Sequence, residues 1–423
     1  MNILLLNQDW FATELRDLGH RVITFGRALN LEIKQTKLLM SWSEVKAALP
    51  KDFTPDLLII HDDSSPVMIA EMESIDIPSL FYSVDTHHHL SFHRYLGLIF
   101  SHLCVAQKDY IPKFEDVNFK PHWLPLWASL YLEPQEPKTH GAVFLGTLNP
   151  ALNPDRVAFF DELKKLAPVE VGTGLFANVF PKSQIVINQT VKGDLNFRVF
   201  EAMMSGALLI TEAAGNGLED LFQDKKHLVL YEKGNARDAA DKISYYLQNT
   251  EESKKIALAG RNLICEKHCA INRTETVLSM LNNPTRPIAR PHSFAAIHNF
   301  SVLSYNLLAH GETLWRSRVL LEILRLTQLG LLSGDRPDPI IALDIMQALL
   351  AMEPILNEKI IQTVLDDLRQ SYPDLTVFHL VKIDHLASRG KADLAKALAD
   401  TISTLPTQDV LKHAEDIVKE LRQ

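Results

Sequence analysis

QIVINQTVKGDLNFRVFEAMMSGALLIT, Gln184 to Thr211, holds two apolar runs with a change of period between them. Ile185 to Asn188 and Ala207 to Thr211 read as buried strands, and between them Val199, Phe200, Met203 and Met204 recur at helical spacing. The stretch is a strand, loop, helix, strand unit, with Gly206 just past the helix where a left-handed cap belongs. Its loop carries Lys192, Gly193, Asp194 and Asn196, and Arg198 and Glu201 sit in or beside the first helical turn. In a parallel sheet such a loop opens at the carboxyl edge, where ligands bind. An arginine beside the free N–H groups of a helix start suits an anion. A carboxylate one turn on repels phosphate but accepts hydrogen bonds from sugar hydroxyls. Arg198 with Glu201 therefore suits a nucleoside diphosphate, phosphate to the one and ribose to the other. A plainer alternative stays open, in which Glu201 favours the helix dipole and Arg198 pairs with a surface carboxylate.

Upstream of this unit the same alternation recurs twice. Met1 to Leu6, a helix over Phe11 to His20 and Val22 to Phe25 make a βαβ opening, which points to a parallel sheet covered by helices. PDLLII (Pro55 to Ile60) and PSLFY (Pro78 to Tyr82) add strands with polar tips, His61, Asp62 and Asp63 after one, Ser83, Asp85 and His87 to His89 after the other. Leu103 to Ala106 and His122 to Leu126 complete this half. Glu133 to His140, EPQEPKTH, reads as an exposed linker. The pattern then restarts with Val143 to Leu145, a helix from Pro154 with Asn153 as N-cap, and Val169 to Val171. After the central unit come a strand at His227 to Tyr231 and helices to about Leu281. Beyond a second proline-rich linker, Asn282 to Ser293, the chain reads as helices only. The expected domains are 1–135, 136–283 and 292–423, two α/β halves and an all-α region. Stretches such as Ala342 to Pro354 and Ala392 to Pro406 look like second helices of tetratricopeptide-type pairs; a simple bundle is the alternative.

A chain of 423 residues accommodates roughly three domains of ~150 residues. Its net charge of -9 argues against broad affinity for nucleic acid or anionic membranes. No apolar run approaches the ~18 residues of a membrane span, and the short run Ile3 to Leu6 followed by Asp9 is no signal peptide, so the expected location is cytoplasmic. Cys104, Cys265 and Cys269 form neither a disulfide framework nor a zinc pattern.

Arg198, Phe200, Glu201, Gly206 and Thr211, then Tyr245, Tyr246 and Leu247, then Ala257, Gly260 and His268 stand in an order that resembles the C-terminal half of GT-B glycosyltransferases, specifically the CgeB-like (spore-maturation protein) group. The N-terminal half resembles it more weakly, through LRDLGHRVITF (Leu15 to Phe25) and HWLPLWAS (His122 to Ser129). The resemblance covers about Met1 to Leu281 and implies the GT-B fold, two Rossmann-like domains facing a cleft, with a nucleotide-sugar donor such as a UDP- or GDP-sugar. By its motif Glu201 would hold the donor ribose and Arg198 the diphosphate. Gly146 and Thr147 would form the loop under the leaving phosphate, and Asn216 and Gly217 would line the same pocket. Asp194 and Asn196 complete the expected donor site. The sequence departs from the retaining pattern at Gly193, where an acid usually stands; Asp194 takes that role through a shifted loop or the sugar is held differently. The glycine-rich loop after the first strand is replaced by Asn7, Gln8, Asp9 and Trp10.

Charge growing on a departing diphosphate is the main thing such a site must stabilise. Arg198 and the helix start are expected to do so without a metal or other cofactor, since the chain has no Asp-x-Asp; Asp62 and Asp63 are read as solvated or capping. Asp85 and one of His87 to His89 are expected to meet the acceptor or a donor hydroxyl, Asp85 or His87 as general base if transfer inverts. The acceptor is expected to be a protein or a glycan, and the helical region to recruit a polypeptide or pair with its own copy, held at a semi-fixed distance by its prolines; the alternative is that it packs on the α/β halves, since Trp315, Leu321 and Leu324 could as easily face them as a neighbouring helix. Two rivals keep the architecture, an inactive GT-B scaffold and a nucleotide-sugar epimerase. A nicotinamide dehydrogenase is disfavoured because NQDWFA lacks the glycines a pyrophosphate requires.

Overall fold

A computed structural model of the chain describes residues 1–117, 121–282 and 294–402. The N-terminal part runs β1 (Asn2–Leu6), α1 (Ala12–Asp17), β2 (Arg21–Gly26), β3 (Ile33–Lys34), β4 (Met40–Ser41), α2 (Trp42–Ala48), β5 (Leu57–His61), β6 (Ile69–Ala70), β7 (Ser79–Ser83), α3 (Thr86–Leu96), β8 (His102–Val105) and β9 (His122–Trp123). Seven strands form one parallel sheet in the order β3-β2-β1-β5-β7-β8-β9, while β4 and β6 pair apart from it. Ile3 to Leu6 are buried throughout, as a strand covered on both faces must be. The chain winds outward from β1 in one direction and from β5 in the other. The strand order therefore reverses between them, at the point where a crevice opens beyond the carboxyl ends.

The second sheet follows the expected restart: β10 (His140–Leu145), α4 (Pro154–Leu166), β11 (Val169–Gly172), α5 (Phe176–Val179), β12 (Ser183–Asn188), α6 (Phe197–Met204), β13 (Leu208–Glu212), α7 (Leu218–Leu221), β14 (Val229–Tyr231), α8 (Ala236–Gln248), α9 (Thr250–Lys267) and α10 (Ala270–Asn282). Its order, β11-β10-β12-β13-β14, is again all parallel. Gly206 has φ 69°, the left-handed cap expected after α6. The chain then returns to the first half: α10 packs on α1, and Arg273 donates to Pro125 O at 2.7 Å and Leu126 O at 3.1 Å. Two Rossmann-like domains thus face one another across a cleft, which is the GT-B architecture.

Residues 294–402 contain helices and no strand: α11 (Ala295–Ala309), α12 (Thr313–Ser333), α13 (Pro339–Met352), α14 (Glu358–Ser371), α15 (Val377–Ser388) and α16 (Ala392–Ala399). The second linker, apart from Asn282, and the stretch beyond Ile402 with its turn at Pro406 lie outside the described residues. The expectation of an arm held off at a distance is corrected here, because the helices share a core with the N-terminal domain. Phe294, Ile297, Phe300 and Leu303 join Leu96, Phe100 and Leu103 in one buried cluster, and α11 packs on α3. Polar contacts fix the register of that joint. Asn299 Nδ2 donates to Val67 O at 2.9 Å while its Oδ1 accepts from Val67 N at 2.8 Å, and Arg325 pairs with Glu73 at 2.8 Å.

Candidate active site

Arg198 is the second residue of α6, which follows β12, and it lines the cleft between the two domains. Its Nε and Nη2 donate to Leu145 O at 3.1 and 2.8 Å, its Nη1 to Asn188 Oδ1 at 2.7 Å, and its guanidinium lies 4.6 Å from the centre of the Phe144 ring. Asn188 is itself fixed by donating to Thr211 Oγ1 at 3.0 Å. A second cation meets the same ring. Arg156, from the first turn of α4, donates to Gln189 Oε1 and Gln189 O, both at 2.8 Å, and sits 5.8 Å from Phe144. Every hydrogen-bond partner of these two arginines is neutral, and neither makes an ion pair among the described residues. Burial, then the neighbouring Arg156, pulls the Arg198 pKa down to about 10. Arg156 is buried and Arg198 half-buried, and the carboxylates of Asp194, Glu201 and Glu212 act on them only at a distance, so the cleft presents positive charge to which an anion can bind.

Gly146 allows this approach, for a Cβ there would stand 2.7 Å from Arg198 Nη2. Its N–H, however, donates to Gly172 O at 2.9 Å. The Gly146 amide is thus committed to the sheet, and the second cation at the Phe144 ring is Arg156. Lys192 and Gly193 have φ 57° and 79°, a tight left-handed turn. Asp194 follows it, buried, its Oδ1 accepting from Val191 N at 2.5 Å. Burial raises its pKa against the pull of the Val191 N–H and the Asn196 side chain. Asn196, the residue before α6, leaves its Oδ1 buried without a partner. Glu201 accepts from Ser129 Oγ at 2.9 Å, and burial raises its pKa although Ser129 and Arg198 oppose this.

Across the cleft, Asp62 organises the start of α3. Its Oδ2 accepts from Val84 N at 3.1 Å and Asp85 N at 2.8 Å, its Oδ1 from Ser64 N at 2.8 Å. The Asp85 carboxylate accepts from Ser64 Oγ. His87 keeps a buried Nδ1 without a partner, and burial, with His88 second, lowers its pKa to about 4. It is therefore neutral at pH 7, with a ring nitrogen able to accept a hydrogen bond. Asp63 accepts from Ser65 Oγ at 2.6 Å and faces Arg27 at 3.7 Å. No group of three or more metal-ligating side chains occurs among the described residues.

The cleft encloses ≈ 560 Å³, and Asp85, His87, Gly146, Thr147, Asp194, Asn196, Arg198 and Glu201 all line it, together with Arg156. Asn216 and Gly217 do not line it. Asn216 and Asp109 bond reciprocally at 2.8 and 3.2 Å, and Gly217 packs so closely on Trp123 that a Cβ would fall 2.2 Å from its ring. With Gln107, whose Oε1 accepts from Leu195 N at 2.8 Å, these residues tie one domain to the other. Trp10 fills the place of the missing glycine loop, its ring centre 5.6 Å from Trp127 and 5.7 Å from Phe197 at the head of α6. Arg156, Ser129, Gln107 and Asp109 were not singled out in the sequence. Only Arg156 carried a signal, its place in the first turn of a helix that follows a strand of the same sheet.

Residues 160–279 match the model of a glycosyl transferase-like family. No curated protein matches the chain. Among solved structures, Alr3699/HepE of Anabaena, in complex with UDP and glucose, aligns with a TM-score of 0.49 and 13% identity, over 67% of this chain and 99% of that one. A glycosyltransferase from Rickettsia africae gives 0.49 and 13% over 67% and 98%, and the sucrose-phosphate synthase of Thermosynechococcus elongatus gives 0.48 and 11% over 67% and 99%. At that level of likeness the strand orders themselves establish the fold.

Proposed function

We propose that the chain is a glycosyltransferase that moves a sugar from a nucleoside-diphosphate donor to a protein or glycan acceptor without a metal ion. The observation that carries this is the pair Arg156, buried, and Arg198, half-buried, on one aromatic ring beside a helix start in an interdomain cleft, with no carboxylate in ion-pair contact with either among the described residues. In this reading the two guanidinium groups hold the diphosphate and stabilise the charge it gains as it leaves. Glu201 accepts from the ribose hydroxyls, and Asp85 and His87 face the acceptor, one of them as base if the anomeric centre inverts. A UDP donor is favoured because the glycosyl transferase-like match spans this half of the site and HepE was crystallised with UDP. Kinship with the CgeB-like group is part of the proposal. So is a tetratricopeptide-like helical region that recruits a polypeptide or a second copy, supported by the packing of α11 on α12 and of α15 on α16.

Calorimetric titration with UDP and GDP, with and without EDTA, tests the donor site. Binding that survives chelation is expected; affinity that vanishes with EDTA and returns with manganese would refute the metal-free reading. Glu201→Gln should keep the fold, because the amide oxygen still accepts from Ser129 Oγ, while weakening UDP binding and transfer. Unchanged UDP affinity in that variant removes Glu201 from the site. An inactive scaffold is the second reading, favoured by Gly193 where retaining enzymes resembling this chain carry an acid. It predicts UDP binding without donor hydrolysis or transfer.

A further inference from the structure

The loop that carries Asp194 and Asn196 is gripped from the opposite domain. Residues 107–109, which follow β8, reach it at two points. Gln107 is buried, and its carboxamide meets both backbone groups of Leu195, Oε1 accepting from Leu195 N at 2.8 Å and Nε2 donating to Leu195 O at 3.3 Å. Asp109 acts one step removed. Its Oδ2 accepts from Asn216 N at 2.8 Å, and Asn216 Nδ2 donates to Gly193 O at 2.6 Å.

Gln107 also stands beside the other wall of the cleft. β7 and β8 are neighbours in the first sheet, Ala106 N donates to Ser83 O at 3.0 Å, and the chain leaves β7 toward Asp85 next to where it leaves β8 toward Gln107. Nε2 of Gln107 lies 3.5 Å from Val84 O as well, and an amide has two N–H donors to share between two carbonyls. One side chain thus spans from Val84, the residue before Asp85, to Leu195, the residue between Asp194 and Asn196. The cations of the cleft are anchored differently. Arg156 and Arg198 bond to Leu145, Asn188 and Gln189, all in their own domain, so their positions do not depend on Gln107.

We propose that Gln107 is a positioning residue for transfer: it sets the separation of Asp85 on one wall from Asp194 and Asn196 on the other, without itself lining the cleft. The proposal rests on the reading of the cleft as a nucleotide-sugar site. Misplacing reacting groups by ~1 Å can cost about a hundredfold in rate, whereas a diphosphate held by the two arginines would not register the shift.

The test uses the full chain. Gln107→Leu removes all three bonds at nearly the same volume. Gln107→Glu keeps an acceptor for Leu195 N but turns a second acceptor toward two carbonyls. Lys108→Ala, which breaks an exposed pair with Asp220 at the same seam, is the control. Each protein is titrated with UDP and assayed for hydrolysis of UDP-glucose, UDP-galactose and UDP-N-acetylglucosamine. In both Gln107 variants kcat should fall at least about tenfold with KM and UDP affinity close to those of the parent, and Lys108→Ala should match the parent throughout. Parent kcat in either Gln107 variant overturns the proposal, and so does a UDP affinity that drops in step with kcat, the mark of a merely structural residue. Hydrogen exchange in the parent needs no variant. The Leu195 N–H should exchange at least about a hundredfold more slowly than an unstructured amide, and less protection than that means that Gln107 does not hold it, which also overturns the proposal. A parent chain that binds no UDP refutes the donor reading and this proposal with it. One that binds UDP and hydrolyses none of the three donors fits the inactive scaffold and overturns the positioning role while leaving the nucleotide site standing.

Discussion

Single residues in the cleft are held by partners that the sequence does not bring near them. Arg198 spends three N–H groups on Leu145 O and Asn188 Oδ1, a fork that a lysine ammonium cannot reproduce. Arg198→Lys should therefore weaken UDP binding by roughly tenfold or more, about 1.4 kcal/mol, and Arg156→Gln should add a further loss; calorimetry showing both variants at full affinity would dismiss the two-arginine site. His268 illustrates the other kind of motif residue. It resembles the family pattern, yet it serves the joint between domains: its Nδ1 faces Arg273 Nη2 at 2.8 Å and its carbonyl accepts from Ala128 N at 2.9 Å. Burial, then Arg273, lowers its pKa to about 4 from the ordinary 6.5. The folded protein thus binds fewer protons than the unfolded chain between those values, so stability is full above about pH 6.5 and falls as pH drops toward 4. The drop in unfolding temperature from pH 7.5 to pH 5 should shrink in His268→Gln, whose amide oxygen still accepts from Arg273; an equal drop in both proteins would contradict this. That Arg198 stands at the head of α6 and lines the cleft was legible because helix-start chemistry is local. Asn216 and Gly217 stand behind the cleft lining, Asn216 donating to Gly193 O at 2.6 Å, and their other partners, Asp109 and Trp123, lie about a hundred residues upstream, beyond what local sequence reveals.

Elements with long apolar runs were legible and short ones were not. The unit β12, α6, β13 appears as read, since a buried strand and an amphipathic helix each leave a period in the sequence. β3, β4 and β6, of two residues each, and the single-turn helices α5 and α7 leave none; their hydrogen bonds depend on what lies beside them. The strand expected over His122 to Leu126 shrinks to His122–Trp123. Between elements, α9 packs closely against the backbone of the turn before β14. A Cβ on Gly260 would stand 2.3 Å from His227 O, backbone that cannot swing aside. Gly260→Ala should cost about 1–3 kcal/mol in chemical denaturation while the folded fraction keeps its UDP affinity. A variant as stable as the parent would mean that α9 slides freely on the sheet.

At the scale of the whole molecule, the helical domain completes the N-terminal one. Helical periodicity tells that a face is buried but not against what, which is why the proline-rich stretch suggested a separate arm. The cluster that runs from Leu96 and Phe100 into Phe294, Ile297 and Phe300 has no seam at a domain boundary. Asn299→Ala leaves both the N–H and the carbonyl of buried Val67 without partners and should destabilise the protein by about 2–4 kcal/mol; a loss below 0.5 kcal/mol would show that water takes over those bonds. Ending the chain before Phe294 should give an insoluble product rather than a compact donor-binding core. The joint between α3 and α11 also separates cohesion from connectivity. Polypeptides 1–282 and 294–423, made as independent chains in one cell, should each aggregate alone and yet be recovered together as a soluble, UDP-binding pair. Such fragment complementation would make the two pieces of this protein a ready-made split reporter, reassembling only when both halves of one core are present.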